Sequence, residues 1–275
     1  MDKSIAWYVA ANWVAVLFYV VATIANVYGV VFGNKKIERR SLLPLLCGMV
    51  VHTVSIAGWW RLVGHGPYMA PSEVLSSVSW ISLATYLLFL RVYPRLRAVS
   101  IIVFPAAFLA LAIANFYNPG IRTLPPTFGG VWLIFHIAFY KIALGTILIA
   151  FAFSVLYLGK ERSRALWLQR LPEQSVLDLY AYRFAGFGFI FWAIAMLGGS
   201  IWAYKSWGRY WGWDPVETWA LITWLFFGVY LHLRRFFRWS GRRAAWLLVF
   251  CFAMSLISYF VTSHMGGSIH AEYFK

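Results

Sequence analysis

The sequence predicts an all-α integral membrane protein, a polytopic bundle of about eight transmembrane helices with both termini outside. Three observations lead to this fold class. Of the 275 residues, 62% are apolar and 12% are charged, whereas soluble domains are about 45–50% apolar and about 25% charged. The apolar residues form eight long runs, and a spanning helix needs about 20 such residues. Finally, most of the basic residues follow every second run, which orients the bundle.

The eight apolar runs leave only short connections, so residues 1–275 are predicted to form a single transmembrane domain. The third and fourth runs are close to the ~17-residue lower limit for a spanning helix. Tyr93-Pro94 separates these two runs, because proline stops a helix. The first run is too long for the apolar region of a removable signal peptide. The predicted helices cover 6–32, 42–63, 74–90, 98–114, 131–158, 184–204, 217–233 and 244–262.

Basic residues fix the predicted orientation. Seventeen of the 24 lie in or beside the connections after the first, third, fifth and seventh helices, and six lie on the other side. Lys and Arg collect in cytoplasmic loops, so the first set is predicted to be cytoplasmic. This distribution explains the net charge of +15 without nucleic acid. Cys47 and Cys251 lie inside apolar runs, so neither a disulfide framework nor a metal pair is indicated. The predicted cytoplasmic loops are 34–41, 91–97, 159–183 and 234–243.

The most unusual segment is the predicted outer loop at about 202–219, which we call the Trp loop. Six of the 16 tryptophans lie between Trp202 and Trp224. Gly208 and Gly212 lie among them, and glycine lets backbone and a flat ligand approach closely. An aromatic belt at the membrane interface is the alternative explanation. A belt, however, has scattered rather than clustered aromatic residues.

The end of the Trp loop also carries a helix-start pattern. Asp214 at the N-cap, Pro215 at the first position and Glu217 at the third form a capping signature for the seventh helix. The two carboxylates therefore have a structural explanation as well as a functional one.

A cluster of aromatic rings with cations beside it is suited to binding haem. Haem is an apolar macrocycle with two propionates, and its iron usually takes His ligands. Lys205, Arg209 and Arg122 lie on the same predicted side as the Trp loop. His136 lies about 7–8 Å inside the fifth helix, at 1.5 Å per residue, and His264 lies just beyond the eighth. A lone interfacial His is more often a hydrogen-bonded structural group. Two at matched depth beside the Trp loop favour ligation of the iron.

For four further polar groups, the sequence is consistent with more than one role. His232 lies at the inner end of the seventh helix beside two arginines, where ligation and a simple interfacial role are equally plausible. His52 and Lys141 lie at membrane depth, where ionisable groups usually have a function. A helix–helix hydrogen bond explains His52 equally well. His65 lies in the second outer loop.

The Trp loop resembles a known signature. The tryptophan-rich "WWD" pattern of the haem-handling proteins of cytochrome c biogenesis is matched by Trp207-Gly-x-x-Trp211-Gly-Trp213-Asp214-Pro215-x-Glu217-Thr-Trp219-Ala220. The continuation to Tyr230-Leu-His232 is similar to the CcsA (ResC) family of system II. The resemblance extends over most of the chain. It departs at Ala70-Pro71-Ser72, where an Asn and a Tyr are usual in the family.

The resemblance implies two haem sites. In that family the signature and two outer histidines form an external site, and His136 and His264 match those histidines. A further histidine, matched by His232, belongs to an intramembrane site whose other ligand is thought to come from a partner subunit, CcsB (ResB). We therefore predict that the three histidines bind the iron. The predicted haem-binding residues are His136, His264, His232, Trp207, Trp211, Trp213, Asp214, Trp219 and Arg209.

The function that this resemblance implies is that of the haem-binding subunit of the system II cytochrome c synthase. The subunit moves haem b to the external site and presents it for thioether attachment to the C-x-x-C-H motif of apocytochrome c. No residue is an obvious general acid or base, so haem lyase activity is expected only together with a CcsB-type partner. The predicted location is the bacterial inner membrane or the thylakoid membrane, with the Trp loop on the periplasmic or lumenal face. The alternatives are a haem chaperone or exporter without attachment activity, and a b-type cytochrome that carries electrons.

Overall fold

A computed structural model of the chain describes residues 3–117, 119–121 and 124–260. Within these ranges the backbone forms α-helices and short 3₁₀ turns, and no strand occurs among them. The α-helices are α1 Lys3–Phe32, α2 Lys35–Arg40, α3 Leu42–Val63, α4 Pro71–Val92, α5 Ser100–Ala114, α6 Val131–Arg162, α7 Leu166–Gln169, α8 Gln174–Trp207, α9 Pro215–Phe236 and α10 Arg242–Phe260. The 3₁₀ turns are Pro94–Val99 and Pro126–Phe128.

The all-helical fold class and the eight spanning segments are confirmed. Eight helical segments in the described ranges are long enough and apolar enough to cross a membrane. The break predicted at Tyr93-Pro94 is present, because α4 ends at Val92 and Pro94 begins a 3₁₀ turn that leads into α5. The side of the membrane on which the termini lie stays a prediction.

The largest departure from the predicted boundaries is at the start of α8. This helix begins at Gln174, ten residues before the predicted start at 184. The extension mixes polar and apolar residues and carries Asp178, whose carboxylate accepts two hydrogen bonds from the Arg234 guanidinium of α9, at 2.6 and 2.7 Å. Such bidentate pairing offsets the charge of both side chains. The pair therefore joins the start of α8 to the end of α9.

The described residues divide into two compact units. Of the described residues, the first unit contains 3–117, 119–121 and 164–172, and the second contains 124–163 and 173–260. In the first unit, α1 packs against α3 and α5, and α4 packs against α5. In the second unit, α6 packs against α8 and α10, and α9 packs against α8 and α10. The prediction of one haem-handling domain over residues 1–275 stays a prediction.

Small residues bring α6 and α8 close together in the second unit. A Cβ atom on Gly188 would lie 2.5 Å from Cγ1 of Ile147, and one on Gly198 would lie 2.9 Å from Cδ1 of Phe135. Glycines at such positions let two helix backbones approach closely inside a membrane. This contact sets the position of His136, which follows Phe135 on α6.

Candidate functional site

The Trp loop is held between two well-defined helix ends. Gly208 follows the last residue of α8 in the left-handed conformation, with φ of 74°, and its N–H donates to the Tyr204 carbonyl at 2.9 Å. At the other end, Asp214 accepts from the Val216 N–H at 2.8 Å, and Pro215 is the first residue of α9. The predicted capping signature is confirmed, including the return hydrogen bond from the Asp214 N–H to Glu217 at 3.3 Å.

Glu217 also fixes the backbone around Trp213. Its Oε2 atom accepts a second hydrogen bond from the Gly212 N–H, at 2.8 Å. Trp213 has a φ of 56° and is 70% exposed. A bulky residue with positive φ is strained, and such strain persists only where the surrounding contacts impose it. The carboxylate of Glu217 thus holds a strained turn that displays an indole ring on the surface.

The tryptophans around the loop fall into two groups. Trp202 and Trp224 are packing residues, because their indole N–H groups donate to the carbonyls of Thr127 and Phe189, at 2.9 and 3.1 Å. Trp211 differs, since its Nε1 is buried and has no acceptor among the residues described. Its ring meets the Trp213 ring edge to face, at 5.9 Å between centroids. The pair of Trp211 and Trp213 therefore combines an unused donor with an exposed aromatic surface.

The loop folds back onto the turn of α8 that contacts His136. The Ser200 hydroxyl donates to the Tyr210 carbonyl at 2.9 Å, and the Tyr210 ring stacks on Tyr204 at 4.3 Å between centroids. The neighbouring residue, Gly199, lies against the imidazole of His136. Since adjacent helix residues differ by about 1.5 Å along the axis, the loop anchor and the imidazole share one level of the bundle.

The imidazole of His136 is oriented by α8. Its Nδ1 lies 2.7 Å from the Ala195 carbonyl oxygen. A carbonyl only accepts hydrogen bonds, so Nδ1 carries the proton and Nε2 of the neutral ring carries the lone pair. A Cβ atom on Gly199 would lie 2.6 Å from Nδ1, so glycine is needed to make room for the ring. On the next turn of α6, the Tyr140 ring lies 5.9 Å from the imidazole centroid.

Arg209 provides a positive charge at the end of α8 where the Trp loop and His136 lie. Its guanidinium lies over Gly212, where a Cβ atom would be 2.6 Å from the guanidinium carbon. No carboxylate pairs with Arg209 within the described ranges. Gly212 therefore leaves space for the Arg209 side chain. The sequence suggested a different role for this glycine, which was the close approach of a flat ligand.

A second feature lies at the other end of α8 and α9. These helices form an open groove of about 670 Å³ that includes His232 in its wall. The His232 ring is exposed, packs against Phe236 at 4.6 Å and Phe237 at 5.8 Å between centroids, and makes no hydrogen bond in the part of the chain that is described. The groove also includes Arg183 and Arg235. An amphiphilic ligand of this size range would fit such a surface.

The two histidines of the first unit, His52 and His65, are buried and have contacts inside that unit. His52 is fully buried, with its Nδ1 3.1 Å from the Tyr19 hydroxyl and its Nε2 2.8 Å from the Ser76 hydroxyl. These hydrogen bonds join α3 to α1 and α4, which is the structural alternative considered for His52. His65 is buried beside Glu73, with 3.9 Å between Nδ1 and Oε2. Lys141, in the second unit, is also buried.

A family model described as "Cytochrome C assembly protein" matches residues 93–270, which is more than half of the chain. The chain belongs to the cytochrome c assembly protein family. The resemblance to CcsA proteins that the Trp loop predicts is confirmed by individual relatives. A cytochrome c biogenesis protein CcsA from Chlamydomonas reinhardtii is 31% identical over 77% of this chain. The alignment spans 62% of that algal protein.

Other relatives of this cytochrome c assembly protein cover nearly all of it. The CcsA proteins of two Prochlorococcus marinus strains, MIT 9312 and AS9601, are 26% and 27% identical over 96% and 93% of this chain, and the alignments span 94% and 91% of the two relatives. Among solved structures, one titled "Cytochrome c Heme Lyase CcmF" has a TM-score of 0.70 and 15% identity. It matches 100% of this chain and 49% of its own length, which shows a shared fold.

The structure brings together some of the residues predicted for this cytochrome c assembly protein. His136 and the Trp loop meet on one turn of α8, whereas His232 lies at the far end. His264 and Arg122 lie outside the described residues. Sequence reasoning missed Ala195 and Gly199, which orient His136. The run Gly198-Gly199-Ser200 inside an apolar helix was the available signal, since small residues mark close contacts between membrane helices.

Proposed function

We propose that this chain is the haem-binding membrane subunit of a system II cytochrome c synthase. It transfers haem b to a site at the Trp loop and presents it for attachment to apocytochrome c. The proposal is carried by one observation, the orientation of His136 beside the Trp loop. Iron-binding histidines usually donate their other ring N–H to a carbonyl or carboxylate, which fixes the ring and its tautomer. His136 has this arrangement, with Nδ1 bound to the Ala195 carbonyl at 2.7 Å.

The residues around His136 fit a haem in three respects. His136 would bind the iron through Nε2, and His264, which lies outside the described residues, would supply the second ligand. The rings of Trp211, Trp213 and Trp219 pack on the macrocycle. The guanidinium of Arg209 supplies donors for the propionates. The Trp207 ring meets Trp202 edge to face at 4.8 Å, and Asp214 caps α9. Both residues stabilise the Trp loop.

The chemistry at this site consists mainly of positioning. Each thiol of the C-x-x-C-H motif adds across one haem vinyl group, so that sulfur bonds to one carbon and the thiol hydrogen is delivered to the other. No electron is gained or lost overall. The histidine of the motif then replaces one axial ligand. The chain holds the ring, leaves the vinyl edge accessible and excludes side reactions, because the addition chemistry belongs to haem and apocytochrome.

The inner site uses His232. The ring of His232 is exposed and makes no hydrogen bond in the described part of the chain, which leaves the imidazole accessible to a ligand in the groove. We infer that it supplies one axial ligand of an inner haem, and that a CcsB-type partner supplies the other. Holocytochrome synthesis accordingly requires both subunits.

Complementation tests this function. A strain that lacks its own CcsA protein should recover c-type cytochromes when it receives this chain together with a CcsB-type partner. The purified complex should show a haem Soret band and a b-type pyridine haemochrome. Haem without restored cytochrome c would indicate a chaperone or exporter. Stable haem that is reduced and oxidised without any dependence on apocytochrome would indicate an electron-carrying cytochrome b.

The orientation of the chain is part of the proposal. Haem must reach the compartment in which apocytochrome c matures, so the Trp loop lies on the periplasmic or lumenal face. Reporter fusions should therefore place 34–41, 91–97, 159–183 and 234–243 in the cytoplasm or stroma. Activity of a cytoplasmic reporter fused within 205–214 would contradict the proposed route.

A further inference from the structure

The groove beside His232 has chemically different ends. Helices α8 and α9 run in opposite directions, so residues 182–183 of one face residues 235–236 of the other. Arg183 and Arg235 lie at this end of the groove, whereas Ile190 and Gly228 lie at the other. One end is therefore cationic and the other is apolar. His232 lies between them, about 4.5 Å along the axis from Arg235, or three residues at 1.5 Å each.

The two arginines of the groove lack acidic partners. Neighbouring Arg234 is fully paired with Asp178, at 2.6 Å, and so contributes to the fold. Arg183 and Arg235 are exposed, and no carboxylate in the described ranges pairs with either. The guanidinium of Arg183 lies 5.8 Å from the centre of the Tyr180 ring. Two uncompensated guanidinium groups at one end of an apolar groove are complementary to a pair of carboxylates.

We propose that Arg183 and Arg235 bind the two propionates of the inner haem, with the macrocycle lying along the apolar part of the groove. The inference rests on the proposed function, because it takes His232 as the axial ligand. The imidazole in the middle of the groove favours haem over an anionic lipid, since a lipid has no use for a metal ligand. The wall of the groove at Gly186 also leaves space for the flat macrocycle, because a Cβ atom on Gly186 would meet nothing within 4 Å.

The ligand itself provides the sharpest test. Haem and its dimethyl ester, in which both propionates are blocked, are titrated into the complex with its CcsB-type partner. The complex carries His136→Gly so that binding at the Trp loop is suppressed. Haem should bind at least about tenfold more tightly than the ester, given the strength of charge-assisted hydrogen bonds. The double variant Arg183→Gln/Arg235→Gln should bind the two ligands equally, with an affinity for the ester equal to that of its parent.

Matched controls separate this proposal from the one on which it rests. Arg242→Gln/Arg243→Gln removes the same charge at the neighbouring end of α10 and should retain the preference for haem over the ester. Equal affinity for haem and ester in the parent, with binding still lost in His232→Ala, would overturn the arginine assignment alone. Haem binding that survives in His232→Ala would overturn both. Loss of bound anionic phospholipid from the double arginine variant, with haem affinity unchanged, would assign the groove to a lipid instead.

A steric variant tests the position of the ring. Gly186→Leu places an isobutyl group in the open groove without displacing any protein atom described near it, and it replaces a weak helix former with a strong one. The variant should fold and should lose the haem that depends on His232. Leu197→Phe, at an exposed position of the same helix outside the groove, is the matched control. Full haem occupancy in Gly186→Leu would mean that the macrocycle does not lie in this groove.

Discussion

The membrane histidines of the two units differ in their hydrogen-bond partners. In the first unit, both ring nitrogens of His52 are used by the hydroxyls of Tyr19 and Ser76. In the second unit, His136 is held by one nitrogen to the Ala195 carbonyl. His232 makes no hydrogen bond among the residues described. A buried histidine whose ring nitrogens bond hydroxyls of two other helices joins those helices, whereas a histidine oriented by a backbone carbonyl has the arrangement that metal-binding histidines usually show.

The sequence favours His136 as a ligand and leaves the roles of His52 and His232 open. His52 lies at membrane depth, where ionisable groups usually have a function, and His232 lies at the inner end of its helix. The difference arises from what the neighbouring helices offer. Around His52 they offer hydroxyl groups, around His136 the Ala195 carbonyl, and around His232 aromatic rings. Substitutions at or beside the three positions should therefore have unequal effects, and the following predictions test that ranking.

The largest effect is expected at His136. Replacement by Gly should lower holocytochrome c formation by more than about 100-fold, since even changes behind a metal ligand cost about 10–100-fold. Added imidazole should partly restore maturation, because a small ligand fits the vacated space and coordinates the iron. The measurement is haem staining of c-type cytochromes in cells that contain the complex. His264→Gly should behave in the same way if it supplies the opposite ligand.

Trp213→Ala is the matched control for the imidazole experiment. It should also reduce haem retention, but imidazole should not restore it, because ring packing rather than ligation is lost. Normal maturation without imidazole in both His→Gly variants would remove His136 and His264 from the site. The distinction between the two units would then have no basis in function.

The next largest effect is expected at Gly199. A methyl group there would lie 2.6 Å from Nδ1 of His136, so Gly199→Ala must displace the imidazole and its hydrogen bond to Ala195. We expect holocytochrome c to fall by about 10–100-fold, the usual cost of disturbing the group that orients a metal ligand. The readout that identifies positioning is a changed Soret maximum with haem still bound. Leu197→Ala, exposed on the same turn, should leave both the spectrum and maturation unchanged.

The fold was largely predictable from the sequence, because hydrophobic length alone defines spanning helices. Capping residues also act locally, so Asp214, Pro215 and Glu217 indicated the start of α9. The early start of α8 was not predicted, because a search for apolar spanning runs passes over a mixed segment, and the pairing of Asp178 with Arg234 joins residues 56 apart. Apolar periodicity carries no information about such a contact.

The candidate site was only partly predictable for a similar reason. Residue type and order pointed to His136 and the Trp loop, but the orientation of the imidazole depends on a carbonyl and a glycine of another helix. The same holds for the groove beside His232. Arg183, Arg234 and Arg235 look alike in the sequence, and only the position of Asp178 shows which of them is already paired.

A smaller effect is expected at His232. His232→Ala should lower the haem content of the complex with its CcsB-type partner about twofold, because one of the two proposed haem sites loses a ligand. The variant should express and fold normally, since the ring is exposed and its contacts are with Phe236 and Phe237. Pyridine haemochrome analysis per mole of complex gives the occupancy. An unchanged haem content would place His232 with His52 among the structural histidines.

The smallest effect on haem is expected at His52. His52→Ala should leave haem content and spectrum per folded molecule unchanged, while lowering the free energy of unfolding by roughly 1–3 kcal/mol, because the Tyr19 and Ser76 hydroxyls lose a buried partner. Tyr19→Phe removes only one of the two hydrogen bonds and should cost about 0.6 kcal/mol, the average measured between membrane helices. Denaturant unfolding in detergent gives the stability, and the Soret band gives the haem. Since the two substitutions share one hydrogen bond, the double variant should lose less than the sum of the single losses. A loss of haem from His52→Ala at unchanged stability would make His52 a ligand, and the division between the two units would fail.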